Sequence, residues 1–141
     1  MSEVSRSPDQ LLRRTLYGNA AFSVLSGAAL ALFAGSLAQA TVVGPATLLG
    51  LPLGTAILLL GIGVIGFGAI CWFIASRGRM PLALARMILW ADIGWVAGSA
   101  LLLALAAPTL TGWGFALIIG LALVVADLAI FEWLGLRRLA A

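Results

Sequence analysis

The chain has no histidine, no lysine and a single cysteine, and charged residues fill only 9% of its 141 positions. Without histidine there is no bis-histidine haem site. With Cys71 alone there is no cysteine pair for a quinone-linked thiol oxidase, and Cys71 reads as a small packing residue. With no histidine and one cysteine, the chain can offer a metal little but oxygen, which argues against a transition-metal centre. No cofactor is expected. The scarcity of charge leaves no material for a soluble catalytic domain, so a non-enzymatic protein is expected.

What fills the chain instead is apolar. Hydrophobic residues make up 63% of it and the mean hydropathy is +1.17, far from the balance of soluble domains. Four stretches, 16–39, 55–76, 87–107 and 115–136, reach the ~20 residues that a helix needs to cross a hydrocarbon core of about 30 Å. In lipid each backbone polar group must be satisfied within the segment or in a closed barrel, and the stretches lack the alternation of barrel strands. The expected fold is therefore one all-α domain over 1–141, a four-transmembrane-helix bundle.

All eight basic residues are arginines, and the sequence pI is about 10.5. They do not form a nucleic-acid surface, because they flank the apolar stretches in three groups. Arg6, Arg13 and Arg14 precede the first, Arg77, Arg79 and Arg86 lie between the second and third, and Arg137 and Arg138 follow the fourth. Basic residues stay on the cytoplasmic side. Both termini and the 77–86 loop are therefore expected in the cytoplasm of a bacterial cell, with the protein in its inner membrane and residues 41–54 and 108–114 outside. Ala38-Gln39-Ala40 matches a signal-peptidase pattern, but the apolar run before it exceeds the 7 to 15 residues of a signal core, so the first stretch is expected to stay as a span. The outside segment 41–54 carries no charge and contains Pro45 and Pro52, which makes it an extended connection or a lid.

The first and third stretches align at a shift of 73, which places Arg13 on Arg86, Tyr17 on Trp90, Asn19 on Asp92, Phe22 on Trp95 and Ser26 on Ser99. The second and fourth align at a shift of 59, placing Gly61 on Gly120, Trp72 on Phe131 and Arg79 on Arg138. The pattern is that of two helical hairpins in parallel repeat about an axis along the membrane normal. Small residues that let helices approach closely are expected at Ser23 and Gly27, at Gly94 and Gly98, and along the second stretch at Gly61, Gly63, Gly66 and Gly68.

Chemistry, if there is any, belongs to the polar groups within the spans: Asn19, Asp92, Trp95, Ser99, Asp127 and Glu132. Ionisable groups in lipid usually face the bundle interior or water. Counted at ~1.5 Å per residue from the nearest arginine, Asp127 lies deepest, about 15 Å in. It is expected to keep its proton, or to accept hydrogen bonds from the Trp95 indole or the Ser99 hydroxyl. In either case it acts as a coupling carboxylate or as a polar tie between the third and fourth helices. Glu132 is expected to snorkel toward Arg137 or Arg138. If Asn19 and Asp92 are repeat partners, they should face each other at one depth. The cup between them would open to the cytoplasm, closed from above by Phe22 and Trp95 one turn deeper, with Tyr17 and Trp90 as anchors near its rim.

Three segments, Leu12-Arg13-Arg14 with Asn19-Ala20-Ala21-Phe22-Ser23, Ala91-Asp92-Ile93-Gly94-Trp95-Val96, and Glu132-Trp133-Leu134-Gly135-Leu136-Arg137-Arg138, carry a resemblance. Through them the chain resembles a loose set of small uncharacterised bacterial four-span integral membrane proteins. The resemblance implies the architecture and no activity. Small multidrug antiporters share the helix count, but their coupling glutamate lies in the first helix, where this chain has Asn19. The expected role is an accessory or interaction subunit, or a binder of a small apolar ligand or lipid, with the bilayer, another membrane protein or a second copy as partner. The alternative is a proton- or cation-coupled transporter that uses its intramembrane carboxylates.

Overall fold

The structure, a computed structural model, describes residues 8–140; Arg6, one of the orienting arginines, lies outside them. The elements follow in the order α1 (Gln10–Leu32), α2 (Ala34–Thr41), β1 (Thr47–Leu48), β2 (Leu51–Pro52), α3 (Leu53–Ala75), α4 (Leu82–Ala106) and α5 (Gly112–Ala140). All of these helices except α2 are long and apolar enough to cross a membrane. The protein is thus helical, with four candidate membrane spans.

Helix starts are set by local chemistry and not by the edges of the apolar runs. Helices α3 and α4 begin directly after Pro52 and Pro81, where the absent proline N–H costs no intrahelical bond. Helix α5 begins after Thr111, whose Oγ1 accepts the Gly114 N–H at 3.1 Å as an N-cap. The expected first span, 16–39, departs from the structure in one respect. Helix α1 stops at Leu32, Phe33 leaves helical geometry at φ −106° and ψ 17°, and α2 then resumes. A Gly35-Ser36 pair just beyond marks the kind of site at which helices kink.

The spans close into a ring in the order α1, α3, α4, α5. Helix α1 packs most extensively on α3 and also on α5, and α4 packs mainly on α5. The seam between α3 and α4 is slight, and the backbones of α1 and α4 do not approach each other. Glycine decides the tight α1–α3 seam, because a Cβ on Gly61 would lie 2.6 Å from the Gly27 carbonyl oxygen. The pair expected on the third helix behaves otherwise. A Cβ added at Gly94 or Gly98 would meet nothing within 4 Å, because α4 turns that face outward, away from the neighbours on which it packs.

The two ends of the bundle are tied differently. At the end without arginines the segment expected as a connection or lid forms a short hairpin, with Thr47 paired to Pro52 and Leu48 to Leu51. Its turn places Leu49 at φ 53° and Gly50 at φ 79°. The segment is laced to the 108–111 connection by Val43 N–H to Thr109 O and Thr111 N–H to Thr41 O, both at 2.9 Å. At the arginine end, Arg13 donates to the carbonyls of Ala75 and Arg77 and forms an ion pair with Asp9. It thereby caps the C-terminal end of α3 from α1, where a cation favours the helix dipole. Next to it lies the apolar core, in which Leu12, Leu16, Ile74, Cys71, Ala85 and Ile88 are buried together.

Candidate ligand-binding site

Helix α1 buries one stripe, Leu12, Leu16, Asn19, Ser23, Gly27 and Leu30, at the three- and four-residue spacings of a single helical face. Asn19 is the polar member that lies level with Asp92 on α4 and Glu132 on α5. All three are buried, at 1%, 3% and 0% exposure. The Asn19 Nδ2 donates to Asp92 Oδ2 at 2.6 Å and to Glu132 Oε1 at 2.9 Å, and Asn19 Oδ1 accepts the Ser23 hydroxyl at 3.0 Å. One amide therefore spends both hydrogens on two carboxyl groups, whose bonded oxygens can be no farther apart than those two bonds laid end to end. The arrangement bridges the diagonal of the ring, joining α1 to α4 although their backbones stay apart.

Asn19 and Asp92 thus meet, at one depth, as their alignment in the sequence anticipates. Two expectations about the carboxyl groups need correction. Glu132 does not snorkel toward Arg137 or Arg138; it turns inward to Asn19, and Arg137 instead lies over the Trp133 ring at 4.7 Å. A buried amide donor satisfies the carboxyl inside the bundle, so it need not reach for the interface. Asp127 is not a tie between the third and fourth helices. It is exposed on the outer side of α5 and bonds to neither Trp95 nor Ser99, nor to any other described residue. Residues five apart on a helix point about 140° away from each other, so Asp127 and Glu132 cannot both face the interior. Ser99 is half-buried and lies outside the polar cluster.

A cavity of about 350 Å³ adjoins the cluster. Asn19, Asp92, Ser23, Ser26 and Trp95 form its polar wall, and residues such as Leu30, Leu59, Leu60 and Leu121 its apolar remainder. Along α1 it runs from Asn19 to Leu30, roughly 16 Å of helix, and so extends away from the arginine end. The expected cup opening toward the arginines is therefore reversed. On that side Leu12, Leu16, Ile74 and Ile88 close the bundle, while Phe22 and Trp95 stand in the cavity wall. Of the expected rim anchors, Tyr17 packs edge-on against Trp72 at 4.8 Å between ring centroids, and Trp90 is 69% exposed.

No protein family, no curated protein and no solved structure matches the chain. What the site can do follows from its chemistry alone. Among the described residues, two buried polar atoms have no partner, the Trp95 indole N–H and Glu132 Oε2. Among the described residues no three histidine, cysteine, aspartate or glutamate side chains gather as a metal site would require. The Asn19 amide turns its N–H groups to the carboxyls, an arrangement that satisfies acceptors and would repel a cation held between them. Sequence reasoning missed the contribution of α3, because Leu59, Leu60, Val64 and Phe67 carry no chemical signal. Gly63, expected as a close-packing glycine, instead stands in the cavity wall with nothing within 4 Å of its would-be Cβ.

Proposed function

We propose that the protein binds a small, mainly apolar molecule drawn from the bilayer, with one hydroxyl-like end that donates to Asp92 and accepts from Trp95. One observation carries this: the amide and carboxyl groups of the cavity, Asn19 and Asp92, lie at one end, the Ser26 hydroxyl farther along is turned to the Ser23 carbonyl, and behind the Asn19 end the bundle is shut by packed leucine and isoleucine. Apolar pockets with a few convergent polar groups are the usual form of small-molecule sites. The slight α3–α4 seam is the natural entry. We read the frame around the site as two parallel hairpin repeats in a bacterial inner membrane, with both termini and the 77–86 loop cytoplasmic. The placement of the arginines supports that orientation, and the Asn19–Asp92 contact across the diagonal supports the repeat.

The probe is decanol, with decane as the control, titrated calorimetrically into the detergent-solubilised protein. Decanol should bind saturably and more tightly than decane. Gly63→Leu, which fills the cavity from a position with room for the side chain, should abolish binding. Trp95→Phe should weaken decanol binding roughly threefold to tenfold, the worth of one hydrogen bond. Absence of saturable binding to the unmodified protein, or binding indifferent to Gly63→Leu, would sink the proposal.

A second function finds support in the two carboxyl groups that share one amide: proton-coupled transport through Asp92 and Glu132, with Asp127 having no part in it. A pH gradient across proteoliposomes would then drive decanol efflux, and Glu132→Gln would abolish it. Efflux unchanged by that substitution would leave the cluster with binding alone.

A further inference from the structure

Asp127 stands at mid-span on α5, apart from the polar cluster, and it is exposed. Around it the outer face of this helix follows a seven-residue pattern. Trp113, Gly120 and Asp127 occupy one position of a stripe, and Ala116, Leu123 and Ile130 the other. All six are exposed; Trp113, Leu123 and Ile130 are 76%, 63% and 54% exposed. This is the spacing of a helix–helix seam, and it has room for a neighbour, since nothing lies within 4 Å of a would-be Cβ at Gly120.

We propose that this stripe is the seam of a symmetric dimer, α5 against α5 of a second copy, in which the two Asp127 carboxyl groups meet across the two-fold axis. Copies inserted by the same route cross the bilayer in the same sense, so their α5 helices run parallel. In a parallel pair each stripe position meets its own counterpart. Carboxyl groups are self-complementary there, because a protonated one donates to an oxygen of the other, and no cation is needed. A polar residue in the middle of an apolar seam also fixes its register. Left facing lipid, Asp127 would occupy the place where ionisable side chains are rarest and most costly. Other open faces, at Gly94 and Gly98 of α4 and around Gly66 of α3, offer small residues but no ionisable group to satisfy.

The test uses the full chain with Cys71→Ala, reconstituted in phosphatidylcholine vesicles over a series of protein-to-lipid ratios. Single cysteines are placed on the stripe, Leu123→Cys or Ile130→Cys, or on α4, Leu101→Cys. Oxidation should cross-link dimers through the two stripe positions and not through the α4 position. Asp127→Asn, whose amide both donates and accepts, should keep the dimer. Asp127→Leu should weaken it ~3- to 20-fold, the range for interhelical hydrogen bonds in membranes. A monomer at every ratio, cross-linking through the α4 position alone, or an Asp127→Leu dimer as tight as the original would each overturn the proposal. Should Asp127→Leu fail to fold by circular dichroism, the cross-links in the Asp127-bearing chain still decide.

Discussion

At the scale of single residues, Asn19 matters more than either carboxyl group it serves. A buried acceptor left without its donor costs about 1–3 kcal/mol, and Asn19→Leu strips a donor from Asp92 and Glu132 at once. The expected outcome is a loss of about 2 kcal/mol or more in unfolding free energy, measured by denaturant titration in mixed micelles. Adding Glu132→Gln to Asn19→Leu returns an amide donor beside Asp92 and should recover part of the loss. If the double variant is no more stable than Asn19→Leu alone, Asn19 does not act as the donor that holds the carboxyl groups.

At the scale of elements, glycines that look alike in sequence carry different weight. Gly61 lies against the backbone of α1, where no flexible side chain can give way, whereas Gly94 and Gly98 face open space. Overpacking a close contact typically costs 1–3 kcal/mol. Gly61→Ala should therefore lower stability by about that much, while Gly94→Ala and Gly98→Ala should change it by less than about 0.5 kcal/mol. Equal effects at Gly61 and Gly94 would contradict the α1–α3 seam described here. The same seam holds α1 and α3 together, whereas α3 and α4 barely touch.

At the scale of the whole molecule, orientation decides which leaflet the cavity half faces. A reporter active only in the cytoplasm should work when fused at residue 80 or after Ala141 and should fail near Gly50. That result would place the packed leucine and isoleucine plug on the cytoplasmic side and the cavity toward the outer half of the bilayer. Activity at Gly50 with silence at residue 80 would invert the arrangement.

The sequence alone determined the spans, their order and the depth of each polar group, because hydropathy is a local sum and depth is a count of residues along a helix. It also paired Asn19 with Asp92, through the alignment of the first span with the third. What it could not determine was the direction each side chain takes around its helix. In a soluble helix the apolar stripe marks the inside, but here lipid and core are both apolar, and no more than 33% of any span window is buried. Counting depth singled out Asp127, and only tertiary packing shows that Glu132 turns inward to Asn19 while Asp127 turns out. The outward turn of Gly94 and Gly98 and the side of the cluster on which the cavity lies were likewise settled by which helices pack against which. In a chain whose solvent resembles its core, that choice leaves almost no trace in composition.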